Sequence, residues 1–275
     1  MNFQMKYQIT ARPLSKPSRR RSGAPISPAV KFVVAHDSGN PNATAAQNVA
    51  YYQRSRDQMA ASAHLFVDDR EIVECIPALA GDLPEKAWHV LYSVPTDNQL
   101  YGYDANDAAI GVEYCFGDRI DADEAYRKYV WVLAYACHRF DLDPATRVVG
   151  HFFLDPHRRT DPVTGLAHSR RTYEQLLRDI VDEYRACRGE GTGGPPSPLT
   201  VETRSGTVVT TVALNIRRGA PSSRAEIHQT VPRGSRLDYV VIVANGQALN
   251  CNPVWYGDAN GNYFWSGGTT EAATT

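Results

Sequence analysis

Hydrophobic positions follow two rhythms before residue 189 and a different one after residue 199. Short apolar runs at Phe32 to Ala35, Ala63 to Val67, Ile72 to Ile76, Ile110 to Phe116 and Val148 to Val149 have the length and β-branched content of strands. Between them lie helical patterns. Thr44 and Gln47 stand at capping-box spacing, so a helix begins there and follows the first run. Tyr126, Tyr129, Val130, Leu133, Cys137 and Phe140 recur at steps of three and four, as do Tyr173, Leu176, Leu177, Ile180, Val181 and Tyr184. Both sets predict amphipathic helices with a core-facing stripe. Strand-like runs alternating with helical ones define an α/β class.

The stretch Gly189-Glu-Gly-Thr-Gly-Gly-Pro-Pro-Ser-Pro198 can continue neither a helix nor a central strand, and reads as a linker over residues 189–204. After it come shorter runs, Thr207 to Val212, Leu237 to Val243, Val254 to Tyr256 and Tyr263 to Trp265, divided by Pro-Arg-Gly, Asn-Gly and Asp-Ala-Asn-Gly turns. That spacing predicts a small all-β barrel over residues 205–270.

Charge changes this picture at one end. The 29 basic and 30 acidic residues nearly cancel, but residues 1–30 hold six Lys/Arg and no Asp/Glu, with Lys31 a seventh. This predicts a basic arm suited to an anionic surface, ahead of a domain over residues 31–188. Residues 32–198 carry a net charge of -9, which does not suit a nucleic-acid partner. No apolar run approaches the ~18 residues of a membrane span. The first residues lack the apolar core of a signal peptide, so the expectation is synthesis in the cytoplasm and, if the chain works outside, another route of release. The five cysteines are scattered without C-x-x-C spacing and read as buried thiols.

Two histidines end apolar runs, His36 in Val-Val-Ala-His and His151 in Val-Val-Gly-His, and Asp161 follows in Arg-Thr-Asp-Pro. Two imidazoles and a carboxylate, each at the end of an element, are the ligand set of an open catalytic zinc site, Zn2+ keeping a fourth position for water. Taken singly, each strand-end histidine is equally a core or surface residue with a local partner, and His157 is the rival ligand. Glu113 stands in the apolar run Ala-Ile-Gly-Val-Glu-Tyr-Cys-Phe. It either faces solvent or an arginine, or serves as a general base raised by its surroundings. His64 has strand neighbours on both sides and is either a core histidine or close to the site. His138, His168 and His228 are read as residues with local partners.

Five pieces of the chain, Val-Val-Ala-His36-Asp-Ser-Gly-Asn-Pro, Ala-Ser-Ala-His64-Leu-Phe, Lys-Ala-Trp88-His89, Ile-Gly-Val-Glu113 and Gly-His151 with Arg-Arg159-Thr-Asp161-Pro, together resemble the zinc-dependent N-acetylmuramoyl-L-alanine amidases, which share their fold with peptidoglycan recognition proteins. The resemblance implies a mixed central sheet flanked by helices, with His36, His151 and Asp161 as zinc ligands. It implies Glu113 as catalytic acid/base, Arg159 in a position commonly held by lysine, and Trp88, His89 and His64 along the substrate groove. Its partner would be peptidoglycan, cut between N-acetylmuramic acid and L-alanine of the stem peptide by an endolysin, autolysin or exported wall-degrading toxin. The residues Leu91 to Ala108 depart from the family pattern and are expected to reshape the groove. Residues 205–270 resemble a bacterial Src-homology-3-type domain, with Trp255, Tyr256 and Trp265 available to stack on wall material or to fill its core. The alternatives are a recognition protein that binds without cutting, or a cytosolic amidase recycling anhydro-muropeptides.

Overall fold

The computed structural model describes residues 2–81, 83–189, 199–223, 225–249 and 252–272. The chain divides into two compact units, Met1–Thr192 and Gly193–Thr275. Residues 190–198 of the expected linker lie outside the described residues, and its last residues belong to the first strand of the second unit, which starts at Val201.

The first unit is built on six strands: β1 (Ile9–Ala11), β2 (Phe32–Asp37), β3 (Leu65–Val67), β4 (Ile72–Glu74), β5 (Ala109–Tyr114) and β6 (Val148–Gly150), ordered β1-β4-β3-β5-β2-β6. Strands β3, β5, β2 and β6 are mutually parallel, while β4 runs antiparallel to β3 and pairs in parallel with β1. The sheet is mixed, as the family resemblance implies. Every residue of β2 is buried, and all of β5 except the half-buried Glu113, as expected of parallel strands covered on both faces.

Seven helices accompany the sheet: α1 (Ala45–Arg54), α2 (Thr96–Tyr101), α3 (Ala105–Ala108), α4 (Ala122–Arg139), α5 (His151–Leu154), α6 (Val163–His168) and α7 (Tyr173–Cys187). Thr44 and Gln47 form the expected capping box on α1, and Asp121 caps α4 by accepting the Asp123 and Glu124 N–H groups. The apolar stripes of α4 and α7 are buried in one core with the sheet. The four described cysteines, Cys75, Cys115, Cys137 and Cys187, are buried free thiols, and Cys251 lies outside the described residues.

The basic segment 1–30 is not a free arm. Its Ile9–Ala11 is an edge strand of the sheet, and Phe3 and Leu14 join the core. Most of its charges have partners within the unit: Lys6 pairs with Glu183, Arg12 with Glu71, and Lys16 and Arg21 with Glu85, while the buried Arg20 guanidinium lies 4.2 Å from the centre of the Tyr52 ring. Net charge along the sequence could not reveal partners 50 or more residues away.

The second unit is an antiparallel sheet of seven strands, β7 (Val201–Thr210), β8 (Leu214–Arg218), β9 (Ile227–Val231), β10 (Arg236–Val243), β11 (Trp255–Gly257), β12 (Asn262–Trp265) and β13 (Thr269–Glu271), ordered β13-β7-β10-β11-β12-β8-β9. Val208, Leu214, Ile216, Tyr239 and Phe264 fill one cluster, and Val243, Leu249 and Trp255 another. Of the three aromatics offered as ligand platforms, Trp255 is only 1% exposed and donates from its indole to the Gln247 carbonyl, so it serves the core. Tyr256 and Trp265 are half-buried, the first stacked on Tyr239.

Candidate metal centre and active site

Three neighbouring parallel strands carry the site at their carboxyl ends, the edge where open α/β sheets place their ligands. His36 is the fifth residue of β2, and its register partner on β5 is Glu113. Partners across a sheet point to the same face, so the two side chains project side by side. On the other flank Ala35 pairs with Gly150, and the next residue, His151, opens α5 beside His36. The loop after α5 returns Asp161 to both histidines and is tied there by the Phe152 N–H donating to the Asp161 carbonyl at 2.8 Å.

His36 Nδ1 and His151 Nδ1 stand 2.8 and 3.1 Å from the same carboxylate oxygen, Oδ2 of Asp161. One ligand atom from each of the three residues lies within 4.8 Å of the others, and among the described residues this is the one group of that kind. Burial lowers the His36 pKa to about 4, against the raising effect of Asp161, which keeps the imidazole neutral at neutral pH. Burial works against ionised Asp161, but the hydrogen bonds from His151 and His36 outweigh it and hold its pKa far below the usual carboxylate range. A neutral imidazole and an ionised carboxylate are the protonation states a metal requires, and this donor set fits zinc. His157, the rival ligand, is exposed and stands outside the cluster.

Glu113 is only half-buried, but one of its carboxylate oxygens is shut off from solvent. Its Oε2 is buried without a protein partner, and burial, then the Asp161 and Asp37 carboxylates, raise its pKa well above the usual range. The charge of the exposed Arg159 acts on Glu113 in the opposite direction and also reaches His36.

The groove residues divide. Trp88 is half-buried, its ring 6.3 Å from that of the exposed Tyr92. His64 is fully buried, and both ring nitrogens serve the backbone: Nδ1 accepts the Gly111 N–H at 2.9 Å and Nε2 donates to the Glu85 carbonyl at 2.9 Å. It has no nitrogen left for substrate, so its placement in the groove is corrected to a brace between β5 and the segment before Trp88. His89 is also buried, its Nδ1 3.0 Å from His36 Nε2. His138 and His168 pack on Phe3 and Phe116, and His228 bonds Arg218 in the second unit.

Two residues of the site have no signal in the sequence pattern. Asp37 accepts the Gly39 and Gly165 N–H groups, pinning α6 to the end of β2. A Cβ at Gly165 would lie 2.7 Å from the Asp37 Cβ, so only glycine permits that approach. Asn106, inside the stretch expected to reshape the groove, accepts the N–H groups of His89 and Val90 with one oxygen, at 2.8 and 3.0 Å.

The first unit is thus a mixed-sheet α/β fold with a convergent His-His-Asp group at its carboxyl edge that could hold a metal ion, and a half-buried carboxylate alongside. Residues 26–164, half of the chain, match the family described as N-acetylmuramoyl-L-alanine amidase (Amidase_2), and the chain belongs to that family. It is 28% identical over 180 residues to the N-acetylmuramoyl-L-alanine amidase BlyA of Bacillus subtilis (strain 168), covering 62% of this chain and 46% of that protein. The chain thus spans about half the length of this relative. Among solved structures, the hydrolase AmiA of Staphylococcus aureus, in complex with its ligand, has a TM-score of 0.52 at 20% identity, covering 66% of this chain and 86% of the other. The catalytic domain of XlyA has a TM-score of 0.50 at 22% identity, covering 63% and 99%. At such identities these likenesses speak for the fold alone.

Proposed function

We propose that the protein is a zinc-dependent peptidoglycan hydrolase that cleaves the amide between N-acetylmuramic acid and L-alanine of the stem peptide. The observation that carries this reading is the convergence of His36, His151 and Asp161 beside the unpartnered Glu113, in a chain of this family. Zinc held by the three residues would polarise the scissile carbonyl and lower the pKa of a water toward ~7. Glu113 accepts the proton of that water and returns it to the leaving amine, a role suited to a carboxylate whose pKa is raised by burial. Arg159 lends positive charge toward the developing oxyanion, as a planar fork rather than the point charge of a lysine. Trp88, half-buried beside Tyr92, offers an aromatic face to the substrate. The retained third ligand and Glu113 favour cutting over binding alone. The second unit serves as a wall-binding module of Src-homology-3 type, and the protein acts on the wall after release from the cell that makes it, as an endolysin does.

The test joins metal analysis to product analysis. The purified chain should hold about one zinc, the stoichiometry of a three-residue site with an open position. Digests of purified peptidoglycan should contain stem peptides with free amino-terminal L-alanine. His36→Ala and His151→Ala should lose metal and turnover together, and His157→Ala neither. Full turnover by zinc-free protein, or products cut elsewhere, would reject the assignment.

A further inference from the structure

His89 belongs to the Trp-His pair that the sequence places along the groove, yet it is 8% exposed and faces inward, with its Nδ1 3.0 Å from Nε2 of His36. A neutral imidazole carries one proton. If His36 presents the Nδ1 lone pair to a cation shared with Asp161, that proton must sit on Nε2, where it needs an acceptor. His89 Nδ1 is that acceptor. We infer that His89 is a positioning residue of the metal site, accepting the His36 Nε2–H and so fixing the tautomer and ring orientation of the first ligand. The inference rests on the zinc reading above and assigns His89 a part in it other than substrate contact.

The surroundings of His89 are built to hold its ring still. Its own N–H and that of Val90 both donate to Asn106 Oδ1, and Asn106 Nδ2 returns a bond to the Val90 carbonyl at 2.6 Å. The ring lies against bare backbone of β5, since a Cβ on Gly111 would come within 2.8 Å of the His89 Cγ and Nδ1, closer than real contacts allow. On another side the His64 ring meets it at 5.6 Å, tilted by 73°. Because both nitrogens of His64 are engaged by backbone, His36 is the imidazole left to pair with His89. The other histidine ligand differs: the outer nitrogen of His151 has no protein partner among the described residues. His36 is therefore the ligand whose orientation the fold sets in advance, and outer partners of this kind typically hold 10- to 100-fold in metal affinity.

The test measures zinc affinity of the full chain by competition with a chromophoric chelator, with thermal unfolding of each metal-free variant to establish that it is folded. His89→Ala should bind zinc about 10- to 100-fold more weakly, whereas His89→Asn, whose amide oxygen takes the place of Nδ1, should stay within about threefold of the parent. His89→Gln keeps the bulk but carries its amide one bond further out, and should be weakened like His89→Ala; it replaces that variant if the latter does not fold. Parent-like affinity in folded His89→Ala, or equal affinities for His89→Asn and His89→Gln, would overturn the inference. A parent chain that takes up no zinc overturns the zinc reading itself, and is seen before any variant is compared.

Discussion

Glu113 joins a cost to the fold with the proposed role of general base. Its Oε2 is buried without a protein partner, so Glu113→Gln, which keeps the shape, should not harm folding. It removes the proton acceptor, however, and turnover should fall ~10² to 10⁴-fold with zinc retained, the acidic limb of the pH-rate profile disappearing with it. Turnover within a few-fold of the parent would return Glu113 to a structural role. His64 makes an opposite kind of prediction, about stability alone. Its folded pKa is lowered from 6.5 to about 4 by burial, so its neutral form stabilises the fold fully above pH 6.5, and the contribution is lost as pH falls toward 4. Urea unfolding of metal-free protein should register up to about 3 kcal/mol from this group across that window, and His64→Gln should flatten the dependence. An unchanged slope in the variant would count against the brace. His36, His151 and Glu113 stand out in the sequence because each interrupts an apolar run at or near the end of an element, whereas Asp161 lies in a polar loop and stands out only by its place in Arg-Thr-Asp-Pro. The sequence could not show that the rings of His64 and His89 face inward, because what settles this is which backbone group or ring each ring nitrogen meets, and those lie 21 to 53 residues away.

At the scale of elements, the first thirty residues are the main revision. Their lysines and arginines read as a free basic arm because their partners are remote in sequence, with Glu85, Glu71 and Glu183 supplied by other elements. The Arg21–Glu85 pair is the most enclosed of these, at 2.7 Å with side chains 9% and 11% exposed. Glu85→Ala leaves Arg21 buried without its counter-charge, and should cost about 3 to 5 kcal/mol in equilibrium unfolding. A loss below about 1 kcal/mol would mean that the pair is effectively solvated. Helices were the easier elements to read, since the Thr44 cap and the stripes of α4 and α7 are encoded within a turn or two of sequence. The short helices α5 and α6 carry no periodic signal, although one begins at His151 and the other closes on Asp37.

At the scale of the whole molecule, every residue placed in the site precedes Thr192, and the first unit has its own core. A chain cut after residue 192 should therefore fold and hydrolyse soluble muropeptides at near-parental rates, while losing activity on intact sacculi if the second unit holds the wall. Equal activity of both forms on sacculi would remove the case for a targeting module. The all-β character of that unit was legible from its short runs and turns, but the inward position of Trp255 was not, since a strand aromatic looks the same from either face. The first unit also closes on itself: the Gln4 N–H donates to the Cys187 carbonyl at 2.7 Å, so its two ends meet. Order along the chain is then separable from arrangement in space. A circular permutant of the first unit, with residues 3 and 188 joined by a short glycine-serine bridge and new termini opened in the exposed loop at residues 57–60, keeps every strand pairing of its sheet and the whole His36, His151 and Asp161 cluster. In such a chain Asp161 is made before His36, and the same site assembles in a different order of synthesis.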